Sequence, residues 1–113
     1  MHEYSIVMAL LEQVEEQAQN HHAEGVHCVT VRIGELSGVE PDLLLTAFDV
    51  ARPGTVCESA VLDIVLARAR WSCADCACEF EQLEALLCPS CGQATRLVAG
   101  GDLVLERIQL EVP

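Results

Sequence analysis

The residues with the clearest chemical potential are cysteines, four of which form two C-x-x-C pairs. Cys73 and Cys76 make the first pair, and Cys88 and Cys91 make the second after eleven intervening residues. Two tight turns that each present two thiolates can supply the four corners of a tetrahedron, which suits Zn²⁺. Because four protein ligands leave no coordination position for water, we expect this zinc to be structural.

The alternatives to zinc are a thioredoxin-like redox pair and two local disulfides. Redox chemistry needs only one C-x-x-C, and neither pair begins a helix in a βαβ pattern. Cys78 follows the first pair by two residues and could compete as a ligand. Ala77 stands where Gly92 eases the turn of the second pair, which predicts a slightly strained first turn. Cys28 and Cys57 are isolated, and this favours buried small apolar side chains.

A second group of potential ligands is Met1-His2-Glu3. The Met1 amine, the His2 backbone nitrogen and the His2 imidazole can close fused chelate rings on one ion, and a planar nitrogen set suits Ni²⁺ or Cu²⁺. The fourth ligand could be the Glu3 backbone nitrogen, the Glu3 carboxylate or a group of a partner. On spacing alone, an ordinary solvated terminus is the more common explanation. His21 and His22 are likewise more typical of a solvated helix end.

Composition restricts the class of protein. The chain has 113 residues, is 51% hydrophobic and carries a formal net charge of -12, with six basic residues, all Arg. Such a surface repels phosphate backbones, so we expect no nucleic-acid partner. Apolar runs are too short for a membrane span and the first residues do not read as a signal peptide, so we expect a cytoplasmic protein. Motifs for hydrolysis or phosphate binding are absent from the sequence, which argues against an enzyme.

Periodicity predicts two helices and three strands around one core. Apolar residues recur at helical spacing from Glu3 to about His22, and Gly25 is predicted to end this helix. A second helix is predicted to begin at Pro41 and to end at Arg52-Pro53-Gly54. Strands are predicted at 26–33, at 60–67 and at the end of the chain. In the second helix the side chains predicted to face inward are Leu44, Leu45 and Phe48.

The last strand contains a change of parity. Ile108, Leu110 and Val112 alternate with polar residues, but Leu103 and Leu105 fall on the opposite parity. Two apolar runs can share one face of a sheet only if an extra residue lies between them. The pattern therefore predicts a β-bulge near Glu106.

These elements predict an α+β fold in which two helices pack on a three-stranded sheet and a four-cysteine zinc-ribbon module is inserted before the last strand. We expect residues 1–68 and 100–113 to form the body, which would bind nickel, and residues 69–99 to form the zinc module. That segment has too few large apolar side chains to build a core of its own, so it needs a metal.

With Met1-His2-Glu3, the run Val31-Arg32-Ile33-Gly34-Glu35-Leu36-Ser37-Gly38-Val39 and both cysteine pairs in place, the whole chain resembles the HypA/HybF family of nickel-delivery and zinc-binding maturation factors of [NiFe] hydrogenases. The resemblance implies that His2 is the essential nickel ligand, that Glu3 supports the nickel site or partner recognition, and that the four paired cysteines hold zinc. It also implies two partners, a HypB-type maturation GTPase and the hydrogenase large subunit, and urease as a further nickel client in some organisms.

We expect the chain to act as a monomer or weak homodimer. A different class of function is a zinc-ribbon protein-interaction scaffold without a nickel role, in which His2 is incidental. Loss of tight nickel binding on removal of His2 would separate the two.

Overall fold

The computed structural model describes residues 2–81 and 86–113 and contains two helices and two small sheets. The elements are α1 (His2–Asn20), β1 (Gly25–Gly34), α2 (Pro41–Ala51), β2 (Val61–Ala67), β3 (Arg70–Cys73), β4 (Cys78–Phe80), β5 (Arg96–Ala99) and β6 (Leu103–Glu111). One sheet has the order β2-β1-β6 and the other β4-β3-β5. This confirms the α+β class, with two helices on a three-stranded sheet and a second small sheet inserted before the last strand.

The body is built around β1, the central strand of its sheet. β1 pairs with β2 in parallel, with α2 in the connection between them, and with β6 antiparallel. Val29, Val31 and Ile33 are buried on β1, as their alternation predicts. They pack with the apolar faces of α1 and α2 in one core cluster. In the described part of the chain, that cluster includes no residue between 69 and 99.

The end of α1 differs from the prediction. The helix ends at Asn20, and His22 rather than Gly25 takes the left-handed conformation, with φ of 54°. The N–H groups of His22 and Ala23 donate to the carbonyls of Gln19 and Ala18. This pair of hydrogen bonds closes the helix in a Schellman motif, so Gly25 is free to be the first residue of β1. Histidine is among the non-glycine residues that tolerate this conformation best.

The predicted β-bulge in β6 is confirmed at Glu106. Thr30 of β1 pairs with Arg107 and Val31 pairs with Leu105, which leaves Glu106 as the extra residue. The bulge brings both apolar runs to the same face, and four side chains of β6 pack against the core: Leu103, Leu105, Ile108 and Leu110. The displaced Glu106 carboxylate forms an ion pair with Arg32 on the neighbouring strand.

Helix α2 begins at Pro41 and ends at Ala51, immediately before Arg52-Pro53-Gly54 as predicted. Leu44 and Phe48 are buried, but the predicted inward position of Leu45 is wrong because 39% of its surface is exposed. At about 100° per residue, Leu45 is turned away from the stripe that Leu44 and Phe48 form. Ala47 completes the buried stripe instead.

Candidate metal centres

The structure brings the four paired cysteines together. All four Sγ atoms lie within 4.8 Å of one another. The Sγ atoms of Cys73 and Cys91 are 3.5 Å apart, and those of Cys76 and Cys88 are 3.9 Å apart. Zinc–sulfur bonds of about 2.3 Å give sulfur–sulfur separations of about 3.8 Å in a tetrahedron, whereas a disulfide requires about 2.0 Å. The donor set and its spacing therefore fit a tetrahedral metal ion and not two disulfides.

Two equivalent turns build this site. In the first turn the Ala77 N–H donates to the Cys73 carbonyl at 2.9 Å, and in the second the Gly92 N–H donates to the Cys88 carbonyl at 2.8 Å. The residue after each pair has positive φ, 53° for Ala77 and 74° for Gly92. Left-handed backbone costs an L-residue about 1–2 kcal/mol, so the predicted strain of the first turn is confirmed in its geometry.

Ala77→Gly is expected to stabilise the metal-loaded module by about 1 kcal/mol, because glycine adopts positive φ without a Cβ clash. The measurement is the rate of metal release to a chromogenic chelator, which should slow. Gly92→Ala is the matched control and should speed release, since an added Cβ there meets no atom within 4 Å and only the backbone strain changes. Equal rates for Ala77→Gly and the wild type would contradict the strain argument.

Without a metal ion, neighbouring groups in the four-thiol cluster shift the pKa values of Cys76 and Cys88. A hydrogen bond with Cys91, followed by one with Cys88, raises the pKa of Cys76 to about 12, because neighbouring sulfurs disfavour an additional thiolate. The Cys91 N–H is the main cause that lowers the pKa of Cys88 to about 7. A coordinated divalent ion removes this conflict, since its charge favours the thiolate at every ligand.

The other three cysteines lie outside this cluster. The Cys78 thiol is exposed, donates to the Cys76 carbonyl at 3.3 Å and does not belong to the four-sulfur cluster. Cys57 is fully buried as predicted, and burial, with a smaller contribution from Glu15, raises the pKa of its thiol to about 11. Cys28 is only half-buried, beside Thr30 of the same strand.

The predicted nickel site is Met1-His2-Glu3. Met1 lies outside the described residues, and His2 and Glu3 are the first two residues of α1. His2 is the first residue of the helix and 63% of its side chain is exposed. Its Nδ1 atom lies 3.6 Å from the Glu3 carboxylate. The backbone N–H groups of a first helical turn have no partner within the helix, so the nitrogens of His2 and Glu3 are not needed for helical hydrogen bonds.

The Glu3 side chain makes a contact with a residue that is distant in the sequence. Its side chain is almost buried, and its carboxylate accepts a hydrogen bond from the Glu40 N–H at 3.3 Å. Glu40 is the residue before α2, so this bond ties the beginnings of the two helices together. Thirty-seven residues separate the partners, and no local pattern signals such a contact.

The Glu3 contact predicts a pH dependence of stability. The Glu40 N–H, followed by the N–H of Glu3 itself, holds the pKa of Glu3 below its ordinary value of 4.5. A lowered pKa in the folded state adds stability above pH 4.5, and this stability is lost as the pH falls through the folded value. Glu3→Gln should therefore be less stable than the wild type in urea at neutral pH, and the difference should vanish in acid. A difference that does not depend on pH would contradict this prediction.

Fold and site together define a class of protein: a small α+β metal-binding protein whose four-thiolate module is inserted before the last strand of the body. A family model described as "Hydrogenase/urease nickel incorporation, metallochaperone, hypA" matches residues 1–110. The chain therefore belongs to the HypA family of nickel metallochaperones, as its sequence resemblance predicts.

Individual relatives agree with this assignment. The hydrogenase maturation factor HypA of Aquifex aeolicus (strain VF5) is 44% identical over 99% of both chains, and that of Shewanella baltica (strain OS195) is 42% identical over 98% of this chain and 97% of the relative. The solution structure of the Ni metallochaperone HypA from Helicobacter pylori superposes with a TM-score of 0.75 at 30% identity, covering 98% of each chain. Among the described residues, no helix is long and apolar enough to cross a membrane.

Proposed function

We propose that this chain binds Ni²⁺ at its N-terminus and delivers it for the maturation of [NiFe] hydrogenase, with urease as a second class of client. The ligands are the Met1 amine, the His2 backbone nitrogen and imidazole, and a donor from Glu3. The observation that carries this proposal is the position of His2, an exposed imidazole on the first residue of α1 in a chain of the nickel metallochaperone family.

The local structure supports a nickel chelate at this point. Planar nitrogen coordination uses deprotonated backbone nitrogens, and those of the first turn can be given up without breaking a helical hydrogen bond. The positive end of the helix dipole opposes a cation. The Glu3 carboxylate, 3.6 Å from the imidazole, offsets this effect and holds the first turn against α2 through Glu40.

We assign a structural zinc to Cys73, Cys76, Cys88 and Cys91. A closed set of four thiolates leaves no position for a substrate or for water, so the zinc stabilises the module and does not catalyse a reaction. An open chelate around the exposed His2 side chain can be displaced by a partner one ligand at a time, whereas the zinc cage retains its ion. This division of roles suits a carrier and not an enzyme.

The partners that follow from this role are a HypB-type maturation GTPase and the hydrogenase large subunit. A formal net charge of -12 favours basic protein surfaces and disfavours nucleic acid. Since the thiolates must remain reduced to hold zinc, we place the chain in the cytoplasm, as a monomer or weak homodimer.

Calorimetric titration of Ni²⁺ into the zinc-loaded, tag-free protein tests the nickel site. His2→Ala and a version with two residues added before Met1 should both lose tight nickel binding and keep their zinc. His27→Ala is the matched control, since His27 is an exposed imidazole on β1, and it should bind nickel like the wild type. Nickel binding that survives in both altered proteins would favour the zinc-ribbon interaction scaffold.

A further inference from the structure

The two connections between the body and the four-cysteine module pass the end of β1 at the same place. One connection leaves β2 and enters β3, and the other leaves β5 and enters β6. Three consecutive N–H groups at the end of β1 donate to these segments. Gly34 and Leu36 donate to the second connection, at the carbonyls of Asp102 (2.9 Å) and Gly100 (2.8 Å), and Glu35 donates to the carbonyl of Ala67, the last residue of β2, at 2.8 Å. The end of β1 therefore holds the second connection, and the end of β2 where the first connection begins, by backbone hydrogen bonds.

The contact between β1 and the second connection is as close as backbones allow. Gly34 is buried, and a Cβ on it would overlap the carbonyl group of Gly100. Glycine at this position is thus a packing requirement, because only a residue without a side chain lets the two backbones meet. Any side chain there must push the connection away from β1.

We call the place where the end of β1 meets the two connections the junction. One side chain adds a further contact there. The Glu35 carboxylate accepts a hydrogen bond from the Ala69 N–H at 2.8 Å. Ala69 is 2% exposed and directly precedes β3, the strand that ends at Cys73. Glu35 itself is exposed, whereas the Ala69 N–H is enclosed, and a hydrogen bond to a charged acceptor is stronger than one to a neutral acceptor. Glu35 is therefore the contact that links β1 to the base of the module's central strand.

The junction also borders a groove of about 560 Å³ that both parts of the molecule line. Val39, Glu40 and Pro41 line it from the body, and Glu81 lines it from the module. Arg68, which lies in the first connection, forms an ion pair with Glu81 at 3.8 Å. Glu40, whose N–H binds the Glu3 carboxylate, therefore lines the same groove as Glu81 of the module.

We propose that Glu35 is a positioning residue that fixes the four-cysteine module relative to the N-terminal end of α1, and that nickel delivery depends on this fixed arrangement. The dependence of nickel delivery on this arrangement rests on the proposed function, whereas the positioning role of Glu35 does not. A partner that takes nickel from the N-terminus would meet the groove and the module as one surface only if the junction holds them together.

Residual dipolar couplings of backbone amides in the zinc-loaded full chain test the positioning role of Glu35. In the wild type, both sheets should fit one alignment tensor. Glu35→Ala should require a separate, smaller tensor for residues 70–99, because the connections can then pivot. Glu35→Gln keeps a carbonyl oxygen that can accept the Ala69 N–H and should restore a single tensor. Gly34→Ala disturbs the same junction by steric overlap and should behave like Glu35→Ala. One tensor in Glu35→Ala would overturn the proposal, and separate tensors in Gly34→Ala alone would assign the positioning to the backbone contact at Gly34 instead.

Hydrogenase activity in cells whose own copy of the gene is deleted tests whether nickel delivery depends on Glu35. At matched protein levels, Glu35→Ala should lower activity several-fold and Glu35→Gln should restore it, while the nickel affinity of Glu35→Ala in vitro stays within twofold of the wild type. Full activity of Glu35→Ala would overturn the dependence of delivery on Glu35. Full activity of His2→Ala would instead overturn the proposed function, and the alignment result would still decide the positioning role.

Discussion

Cys73→Ser is expected to lose the bound metal and unfold residues 70–99 while the body stays folded. Metal ligation of this kind contributes on the order of 10 kcal/mol of folding free energy at neutral pH, and the module has little else to replace it. Several of its larger apolar side chains are exposed, including Leu86, Leu87 and Leu97. The body draws its core from helices and strands outside the module, so its packing does not depend on the metal.

The measurement combines zinc analysis with amide spectra of the full chain. Signals of β3, β4 and β5 should collapse to unfolded positions in Cys73→Ser, and those of β1, β2 and most of β6 should remain dispersed. Cys78→Ser is the matched control, because its thiol is exposed and lies outside the four-sulfur cluster, and it should retain one zinc per chain. Retention of stoichiometric zinc by Cys73→Ser would show that Cys78 can replace a ligand.

Leu44→Ala is expected to destabilise the body by about 2–5 kcal/mol. Leu44 is fully buried between the helices and the sheet, and its truncation removes apolar contact and leaves a cavity that rigid neighbours fill only in part. Domains of this size have about 5–15 kcal/mol of total stability, so the loss is a large share. Urea unfolding followed by helical circular dichroism measures it, with zinc present in excess throughout.

Leu45→Ala is the control for Leu44→Ala, since the two leucines are neighbours in the same helix and differ mainly in exposure. Its truncation should cost about 1 kcal/mol or less, because part of the side chain already contacts water and alanine favours the helix. Similar losses for both variants would mean that Leu45 faces the core, as its place in the apolar run Leu43-Leu44-Leu45 allowed.

The amino-acid sequence by itself determined those features that depend on short-range periodicity and spacing. Side chains alternate strictly along a strand, so the change of parity between Leu105 and Ile108 was enough to locate the bulge at Glu106. The two C-x-x-C pairs specified a four-thiolate site, since each turn presents both of its sulfurs within four residues. Proline and glycine limited α2 for a similarly local reason, because proline fixes φ and lacks an N–H whereas glycine adopts the positive φ that ends a helix.

The tertiary structure alone decided which residues meet across long separations. Glu3 binds the N–H before α2, and Glu35 binds the N–H before β3, although 37 and 34 residues separate these partners. Backbone N–H groups are present at every non-proline residue, so a sequence does not mark which one a carboxylate will reach. Leu45 and His22 illustrate the same limit at close range. The rotation of α2 against the sheet leaves Leu45 partly exposed, and the closing hydrogen bonds of α1 place His22 at positive φ. Both depend on how the whole core packs.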